Sequence, residues 1–514
     1  MKPFVALLSL AVASPLVACW SSSMGGETPY GESKPRPNIV VVMVDDLGWQ
    51  DTSLALHIEL THLNRRYHTP NVERLAARGM RFTNAYAAAP VCTPTRASLI
   101  TGRSPGRNHI TYWTFMKDRD TSASYPGVRA PAWNMNGVQE GDTTLPRLLQ
   151  GAGYRTIHVG KAHFGAIETS GADPRRLGFD VNIAGHGPGA PGSYYGEHGF
   201  RSGERTGKGG PSAWDVPGLD AYHGEDIYLT EALALEAAKA VREAVAAERP
   251  FFLNFAPYAV HTPIMANDRY LERYADLHER EAAYATMVES VDTALGDLLD
   301  LFDEIGVADN TIVIYTGDNG GLSAHGRGGE AHTHNSPLRS GKGSAYEGGV
   351  RVPQVIAWPG VTDRPTSTDE PVITYDLFPT ILEWADVEVP PEHEPSLDGV
   401  SLAALVRDET ALEPRPLYWH QPHFWGVNGP GIWPFTSVRD GDWKLVFRHS
   451  DRGFELYNLA SDLGERRDLA RTHPERVAQL AAEMDEWFER TDAQPSIDIE
   501  SNEAIGLPSE FVPQ

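Results

Sequence analysis

Four stretches of this chain put acids, bases or cations immediately after apolar, β-branched runs. They are Asp45-Asp46 after "NIVVVMV", Lys161 with His163 after "YRTIHVG", His261 after "PFFLNFAPYAV", and Asp318-Asn319 after "TIVIYTG". Asp45, Asp46, Asp318 and Asn319 offer only oxygen atoms, a donor set that suits a hard cation such as Ca2+ or Mg2+ better than zinc. Lys161, His163 and His261 bring positive charge and proton-transfer chemistry to other strand ends. A fifth stretch, "PVCTPTRASLITGR" over 90–103, holds Cys92, one of two cysteines in the chain. Thr93 is placed to cap a helix there, Pro94 suits its first position, and Gly102 stops it about two turns on. Cys92 is therefore expected just before a helix N-terminus, with Arg96 one turn along. That is a setting for an activated thiolate.

The elements that must position these groups follow from periodicity. Residues 38–46 show no polar alternation, as in a strand buried on both faces. "NVERLAARGM" reads as a helix stopped at Gly79, and a helix from about Thr144 precedes a strand over 154–160. Apolar residues at 229, 233, 237, 240, 241, 244 and 245 mark a long helix before the strand that leads to His261. Tyr284, Met287, Val288, Val291, Ala294, Leu295 and Leu298 mark another before "TIVIYTGDNGG". Helix-then-strand alternation gives an α/β fold with a large, mostly parallel mixed sheet flanked by helices. Ligands in such sheets gather at the carboxyl ends of the strands, where all four polar stretches lie. Past about residue 400, "PLYWHQPHFWGV", "FTSVRDGDWKLVFR" and "GFELYNLA" read as short antiparallel strands and "PERVAQLAAEMDEWFERT" as a closing helix. They predict a smaller C-terminal α+β domain with a boundary near 410. Two segments without periodicity, 103–142 and 165–223, are long enough to be functional loops.

Across 514 residues, 44 Lys+Arg face 69 Asp+Glu, a net charge of −25. Such a field repels nucleic acid and anionic membrane, and an anionic substrate must be captured by local cations. After Lys2, the apolar run Phe4–Ala18 is short for a bilayer span and ends in "LVAC" (16–19), which resembles a bacterial lipobox. The expectation is a signal peptide over 1–18, lipidation of Cys19, and a flexible tether over 19–37. The protein would then be exported to the bacterial periplasm or cell surface, touching membrane only through its lipid. With Cys19 so used, Cys92 has no disulfide partner.

"CTPTRASLITGR" resembles the signature of the type I sulfatases of the alkaline-phosphatase superfamily, in which Cys-x-Pro-x-Arg directs oxidation of the cysteine to formylglycine. "NIVVVMVDDLGW", "GYRTIHVGKAHFG", "PFFLNFAPYAVHTP", "TGDNGG" and "SPLRSGKGSAYEGGVRVPQVIAWPG" resemble further family blocks in the family's order across 38–360. "WKLVFR…ELYNLASDLGERRDLA" extends the likeness toward the C-terminus. The resemblance implies a catalytic domain over 38–410, a C-terminal subdomain over 411–514, and a sulfuric ester hydrolase that releases inorganic sulfate. It implies that a maturation enzyme converts Cys92 to formylglycine, whose hydrate attacks sulfur with one hydroxyl and releases sulfate through the second. By the same likeness one Ca2+ is held by Asp45, Asp46, Asp318, Asn319 and the modified Cys92. Arg96 would steady the hydrate, Lys161 and Lys342 would bind and neutralise the sulfate, His163 would assist the final collapse, and His261 would contact the ester and protonate the departing oxygen. His423, with His420, Trp425 and Trp433, either lines a sugar subsite or fills a core. His325, His332 and His334 are expected in a loop near the pocket rather than around a second metal. The implied substrate is a sulfated carbohydrate. The alternatives are a phosphodiester or phosphonate monoester hydrolase of the same superfamily, and a non-catalytic glycan-binding lipoprotein.

Overall fold

Strand β1 (Asn38–Val44) is buried along its whole length. Its side chains alternate between two cores, Val40, Val42 and Val44 entering one and Ile39, Val41 and Met43 the other. A strand apolar on both faces must lie inside a sheet covered on both sides, and β1 does. The computed structural model describes Met1 and residues 36–513 apart from 58–59, 325–326 and 363, so Cys19, the leader, most of the tether and His325 lie outside the described residues. Seven more strands complete the main sheet: β2 (Met80–Phe82), β3 (Arg155–Gly160), β4 (Val181–Ile183), β5 (Phe251–Ala256), β6 (Thr311–Gly317), β7 (Gln354–Ala357) and β8 (Thr366–Thr368). Their order is β8-β2-β7-β6-β1-β5-β3-β4. All neighbours are parallel except β7, which runs antiparallel to both β2 and β6. This is the expected mixed α/β sheet.

Helices cover both faces. On the first core lie α1 (Pro70–Ala76), α4 (Leu229–Ala246) and α5 (Glu279–Glu304); on the second lie α2 (Cys92–Thr101) and α3 (Leu145–Gly151). The 3.6-residue pattern located α4 and α5 because each turns one apolar stripe to the sheet. Helix α1 ends at Ala76, earlier than the expected stop at Gly79. Gly79 instead leads into β2 and passes so near the Ile356 carbonyl that a Cβ would sit 2.8 Å from it.

Past residue 400, strands β9 (Leu417–Gln421), β10 (Phe435–Asp440), β11 (Trp443–Arg448) and β12 (Phe454–Asn458) form an antiparallel sheet in chain order. The expected boundary near 410 falls between the helical segment Ala403–Asp408 and β9. One face of this sheet packs Tyr418, Val438, Leu445 and Leu456 on α6 (Pro474–Thr491). The other packs Trp419, Phe435 and Val446 on Tyr86, Val350 and Ile373 of the main body.

Lys444 points to that second face and is wholly buried, with Nζ 2.9 Å from Glu347 Oε1 and 3.0 Å from Glu465 Oε1. Removing one partner of a buried ionic cluster leaves charge without compensation. Lys444→Met is expected to cost about 3–5 kcal/mol, measured by urea unfolding. Adding Glu347→Gln and Glu465→Gln should recover part of the loss.

The same region buries three neutral histidines. His420 shares the Thr436 hydroxyl with His449, and His423 meets the Thr111 hydroxyl at 2.8 Å. Burial pushes His420 down to about 4 and His423 to about 3, and holds His449 well below the ordinary range. The unfolded chain therefore binds more protons than the folded one between the free-histidine value and these lower ones. Stability is full at neutral pH and falls on acidification through that window, by about 1.4 kcal/mol per pH unit for each histidine. Urea midpoints from pH 8 to 4 are expected to be flat first and then drop below about pH 6.5.

Candidate active site

The carboxyl ends of β1, β3, β5 and β6 converge, and each expected polar stretch follows one of them. Asp45 and Asp46 leave β1 beside the segment that follows β5: Asp45 N–H donates to the Ala259 carbonyl, and Val260 N–H donates to the Asp45 carbonyl. Asp46 adopts a left-handed backbone (φ 57°), as does His163 (φ 51°). L-residues adopt this conformation at a cost of about 1–2 kcal/mol, and it collects at functional sites. Asp318 Oδ1 accepts from Asp46 N–H at 3.2 Å, and its Oδ2 accepts from Arg96 Nε at 2.8 Å. Asn319 Nδ2 donates to Asp46 Oδ1 at 2.8 Å.

Two lysines reach the same acids. Lys161 Nζ lies 2.7 Å from Asp45 Oδ2 and 3.8 Å from Asp318 Oδ2, all three side chains fully buried. Lys342 Nζ lies 2.6 Å from Asp46 Oδ1 and 3.4 Å from Cys92 Sγ. Burial and the neighbouring carboxylates hold Asp45 above the ordinary carboxylate range despite Lys161. At Asp318 burial is outweighed by Arg96, Lys161 and Lys342, which hold it below that range. Lys342 is held above the ordinary lysine range, because Asp46 and its neighbours overcome burial. The cluster is one coupled charge assembly.

The donor set tests for a metal directly. Asp45, Asp46, Cys92 and His261 each present a ligand atom within 4.8 Å of the others, the one such group among the described residues. Asp46 Oδ2 and Asn319 Oδ1 are buried without a hydrogen-bond partner. Orphaned buried oxygens of this kind call for a cation. Asp318 abuts the four-donor group with both oxygens already engaged, while His261, expected to contact the ester and protonate the departing oxygen rather than to hold the metal, joins it at 3.7 Å from Asp46 Oδ2.

The start of α2 corrects three expectations. Cys92 is the first residue of α2 rather than the residue before it, and Val91 precedes the helix without a side-chain cap. Thr93 does not cap; its hydroxyl accepts from Thr114 N–H at 3.2 Å. Nor is Cys92 an activated thiolate. Burial pushes the thiol up to about 12, outweighing Lys161 and Lys342, and Sγ–H faces Asp45 Oδ1 at 3.6 Å.

The two histidines are neutral at rest. His163 Nε2 donates to the Thr114 carbonyl at 3.0 Å, leaving Nδ1 buried and without a partner. Burial and Lys161 hold it well below the ordinary histidine range. His261 Nδ1 faces the Thr262 carbonyl at 2.8 Å, which puts its proton there and the lone pair on Nε2. Burial and Lys342 push it down to about 3 against the pull of Asp46.

A cleft of about 320 Å³ opens over Cys92, Asp46, His163, His261 and Lys342, and Trp113, Trp214 and Trp425 line it as well. A profile of the family described as Sulfatase matches residues 37–387, and one described as N-sulphoglucosamine sulphohydrolase, C-terminal, matches 341–494. The chain belongs to the type I sulfatase family. A sulfatase of Formosa agariphila is 30% identical over 93% of this chain and 93% of its own. Human N-acetylgalactosamine-6-sulfatase is 30% identical over 76% of this chain and 72% of its own. The crystal structure of Ps i-CgsB superposes with a TM-score of 0.71 at 27% identity, covering 89% of this chain and 94% of that one. This sulfatase is thus an α/β enzyme of the alkaline-phosphatase superfamily that hydrolyses sulfate esters.

In this sulfatase the expected site residues Asp45, Asp46, Cys92, Arg96, Lys161, His163, His261, Asp318, Asn319 and Lys342 meet around one point. His423 does not. It is buried behind the cleft, stacked on Tyr112 at 4.8 Å, and it fills a core rather than a sugar subsite. His420 is likewise core, bonded to Thr436 and the Gln494 carbonyl, and Trp433 packs on Tyr346. His334 is tied to the Gly328 carbonyl. Sequence reasoning missed Trp113 and Trp214, although both lie in the two segments singled out as long loops. It also missed Gly189, where a Cβ would come within 2.3 Å of the His163 ring. Below the acids it missed Tyr284, whose hydroxyl donates to Asp51 Oδ2 at 2.7 Å and reaches the Asp46 carbonyl at 3.4 Å. Arg327, wholly buried, closes this set on Asp51 at 2.7 Å.

Proposed function

We propose that this sulfatase desulfates a saccharide and that its working nucleophile is made from Cys92. The observation that carries this is the placement of Cys92, which lines a cleft of about 320 Å³ with Sγ 3.6 Å from Asp45 Oδ1 and 3.4 Å from Lys342 Nζ, its thiol kept protonated by burial. A protonated thiol is a poor nucleophile, so the cysteine is better read as the precursor of formylglycine. Once hydrated, that aldehyde supplies two hydroxyls on one carbon, one to bond sulfur and the other to let sulfate go. Cys92 and Arg96 are both buried in the folded chain, so a maturation enzyme must reach the segment before it closes. The oxygen-rich donors Asp45, Asp46, Asp318 and Asn319, with residue 92, would hold one Ca2+, which supplies positive charge at the reacting oxygens.

The chain's own groups then have separable roles. Arg96 anchors Asp318 and the Lys161 carbonyl and so fixes the start of α2 relative to β3 and β6. Lys342 reaches residue 92 and neutralises negative charge next to it; Lys161 does so one layer below, through Asp45. His163, with Nδ1 free to accept, suits removal of a proton from a hydroxyl on residue 92. His261 gains a proton at Nε2 as negative charge gathers in front of it, and it is placed to pass that proton to the departing oxygen.

The substrate class is supported by similarity. Human N-acetylgalactosamine-6-sulfatase names a sugar, and Ps i-CgsB has been crystallised with k-i-k-neocarrahexaose. Among the described residues no helix is long and apolar enough to cross a membrane. The apolar run Phe4–Ala18 and the lipobox-like "LVAC" that ends it support export and a lipid anchor at Cys19. The test pairs peptide mass spectrometry with product analysis. After co-expression with a formylglycine-generating enzyme, the Cys92 peptide should be about 18 Da lighter, and sulfated saccharides should release inorganic sulfate while matched phosphate esters are turned over far more slowly. Full activity from an unmodified thiol would overturn the reading.

A further inference from the structure

The cleft has one charged end. Among the described residues that line it, Asp46, His163, His261 and Lys342 are the only ionisable side chains besides Cys92, and all of them surround the reacting position. Among the described residues, the remaining walls carry no carboxylate, lysine or arginine. They are indole, aliphatic and backbone surface, with the Thr262 side chain as the one neutral polar exception.

The indoles are held in place. Trp425 lies over Gly343, where a Cβ would come within 2.5 Å of the ring, and Lys342 Nζ is 6.0 Å from its centroid. It therefore rises directly from the cation at the charged end. Trp425 and Trp113 pack on the same small core of Val91, Tyr112 and Trp133. Trp113 lies 6.3 Å from the Phe115 ring, on which Trp214 stacks at 5.0 Å. Arg119, a cation of the same loop as Trp113, is drawn to Phe115 at 5.7 Å, outside the lining. Asp215, next to Trp214, turns away to accept from the Ser202 and Ser212 amides. An aromatic surface thus runs from Lys342 through Trp425 and Trp113 to Trp214, with all three tryptophans half-buried and facing the cleft.

We propose that Trp113, Trp214 and Trp425 form a neutral subsite that grips an uncharged sugar ring by its face, so that this sulfatase selects rings whose only anion is the sulfate being removed. The inference rests on the proposed saccharide reading and narrows it. Aromatic faces hold flat ring surfaces by dispersion without asking for charge. A second sulfate or a carboxylate on the same ring would lose water in this cleft with no cation to meet it, against a chain of net charge −25. At about 320 Å³ the cleft is at the small end of ligand sites.

The test uses the full chain matured with a formylglycine-generating enzyme. Its probes are positional isomers of monosulfated galactose and glucose, their disulfated counterparts, and the matching sulfated uronates. The best monosulfated ring is expected to exceed its disulfated or uronate counterpart by about a hundredfold or more in kcat/KM. Trp214→Ala and Trp425→Ala should each raise KM for that ring by about tenfold with a smaller change in kcat, and Trp→Phe at either position should restore most of it. Calorimetric titration of Cys92→Ala with the same sugars provides a readout independent of turnover, and the tryptophan variants should weaken binding there by the same factor. Equal turnover of mono- and dianionic rings, or unchanged KM and affinity on removing the indoles, would overturn the neutral subsite and leave the saccharide reading intact. Release of sulfate from no saccharide at all would overturn both.

Discussion

Cys92→Ala abolishes turnover, with an expected loss on the order of 10⁵-fold or more, the scale seen when a covalent nucleophile is removed from an enzyme. The change is small in steric terms, since it deletes one sulfur atom from a buried position. The thiol's contacts, 3.6 Å to Asp45 and 3.4 Å to Lys342, run through sulfur, a weak donor and acceptor, so the fold should survive. Loss of activity with an unchanged unfolding midpoint is therefore the expected pair of results. Cys92→Ser sharpens the experiment. A lone hydroxyl can bond sulfur but has no second hydroxyl on the same carbon to release it, so at most one sulfate-bound enzyme per chain should accumulate. Mass spectrometry would read that adduct, and activity of unmutated preparations should scale with their aldehyde fraction. A Cys92→Ala enzyme keeping more than about a thousandth of the rate would move the nucleophile elsewhere.

What the chain disclosed of itself depended on which forces are local. β1 was legible because seven successive buried residues admit one environment, a strand covered on both faces, and Asp45-Asp46 then had to fall at its carboxyl end. The same reasoning placed Lys161, His163, Asp318 and Asn319. Lys342 follows no strand and sits among glycines, so nothing in its own neighbourhood marks it, and family likeness alone brought it in. The protonated state of Cys92 was beyond local reading. A helix N-terminus and an arginine one turn along argue for a thiolate, but burial outweighs them, and burial is made by residues hundreds of positions away. Trp113 and Trp214 were hidden for a related reason: loops without periodicity can be recognised as loops, whereas the direction of an indole is decided by partners such as Phe115. His423 failed in the opposite sense, because an aromatic-rich run next to a strand serves a core as readily as a cleft.

Lys342→Ala is expected to lower kcat by about 10²- to 10³-fold, the range for removing a preorganised charge from a reacting centre. Lys342 is the cation that touches both the nucleophilic position, 3.4 Å from Cys92 Sγ, and the acid expected to hold the metal, 2.6 Å from Asp46 Oδ1. Its elevated proton affinity keeps it charged wherever the protein is folded, so it acts as a fixed positive charge rather than as an acid. A fixed charge that met only the bound sulfate would raise KM and leave kcat alone. One that meets charge as it grows on sulfur's oxygens lowers kcat, and its nearness to residue 92 puts it there. Lys342→Arg keeps the charge but spreads it over a planar fork, which does not reproduce one compact ammonium 2.6 Å from Asp46 Oδ1 and 3.4 Å from Cys92 Sγ, so little rate should return. Stability should fall alongside, since Asp46 would lose its nearest cation while remaining buried. Measuring kcat, KM and the unfolding midpoint on the same variant separates these effects. A kcat within about threefold of the parent would show that Lys342 serves Asp46 and the fold rather than the transition state.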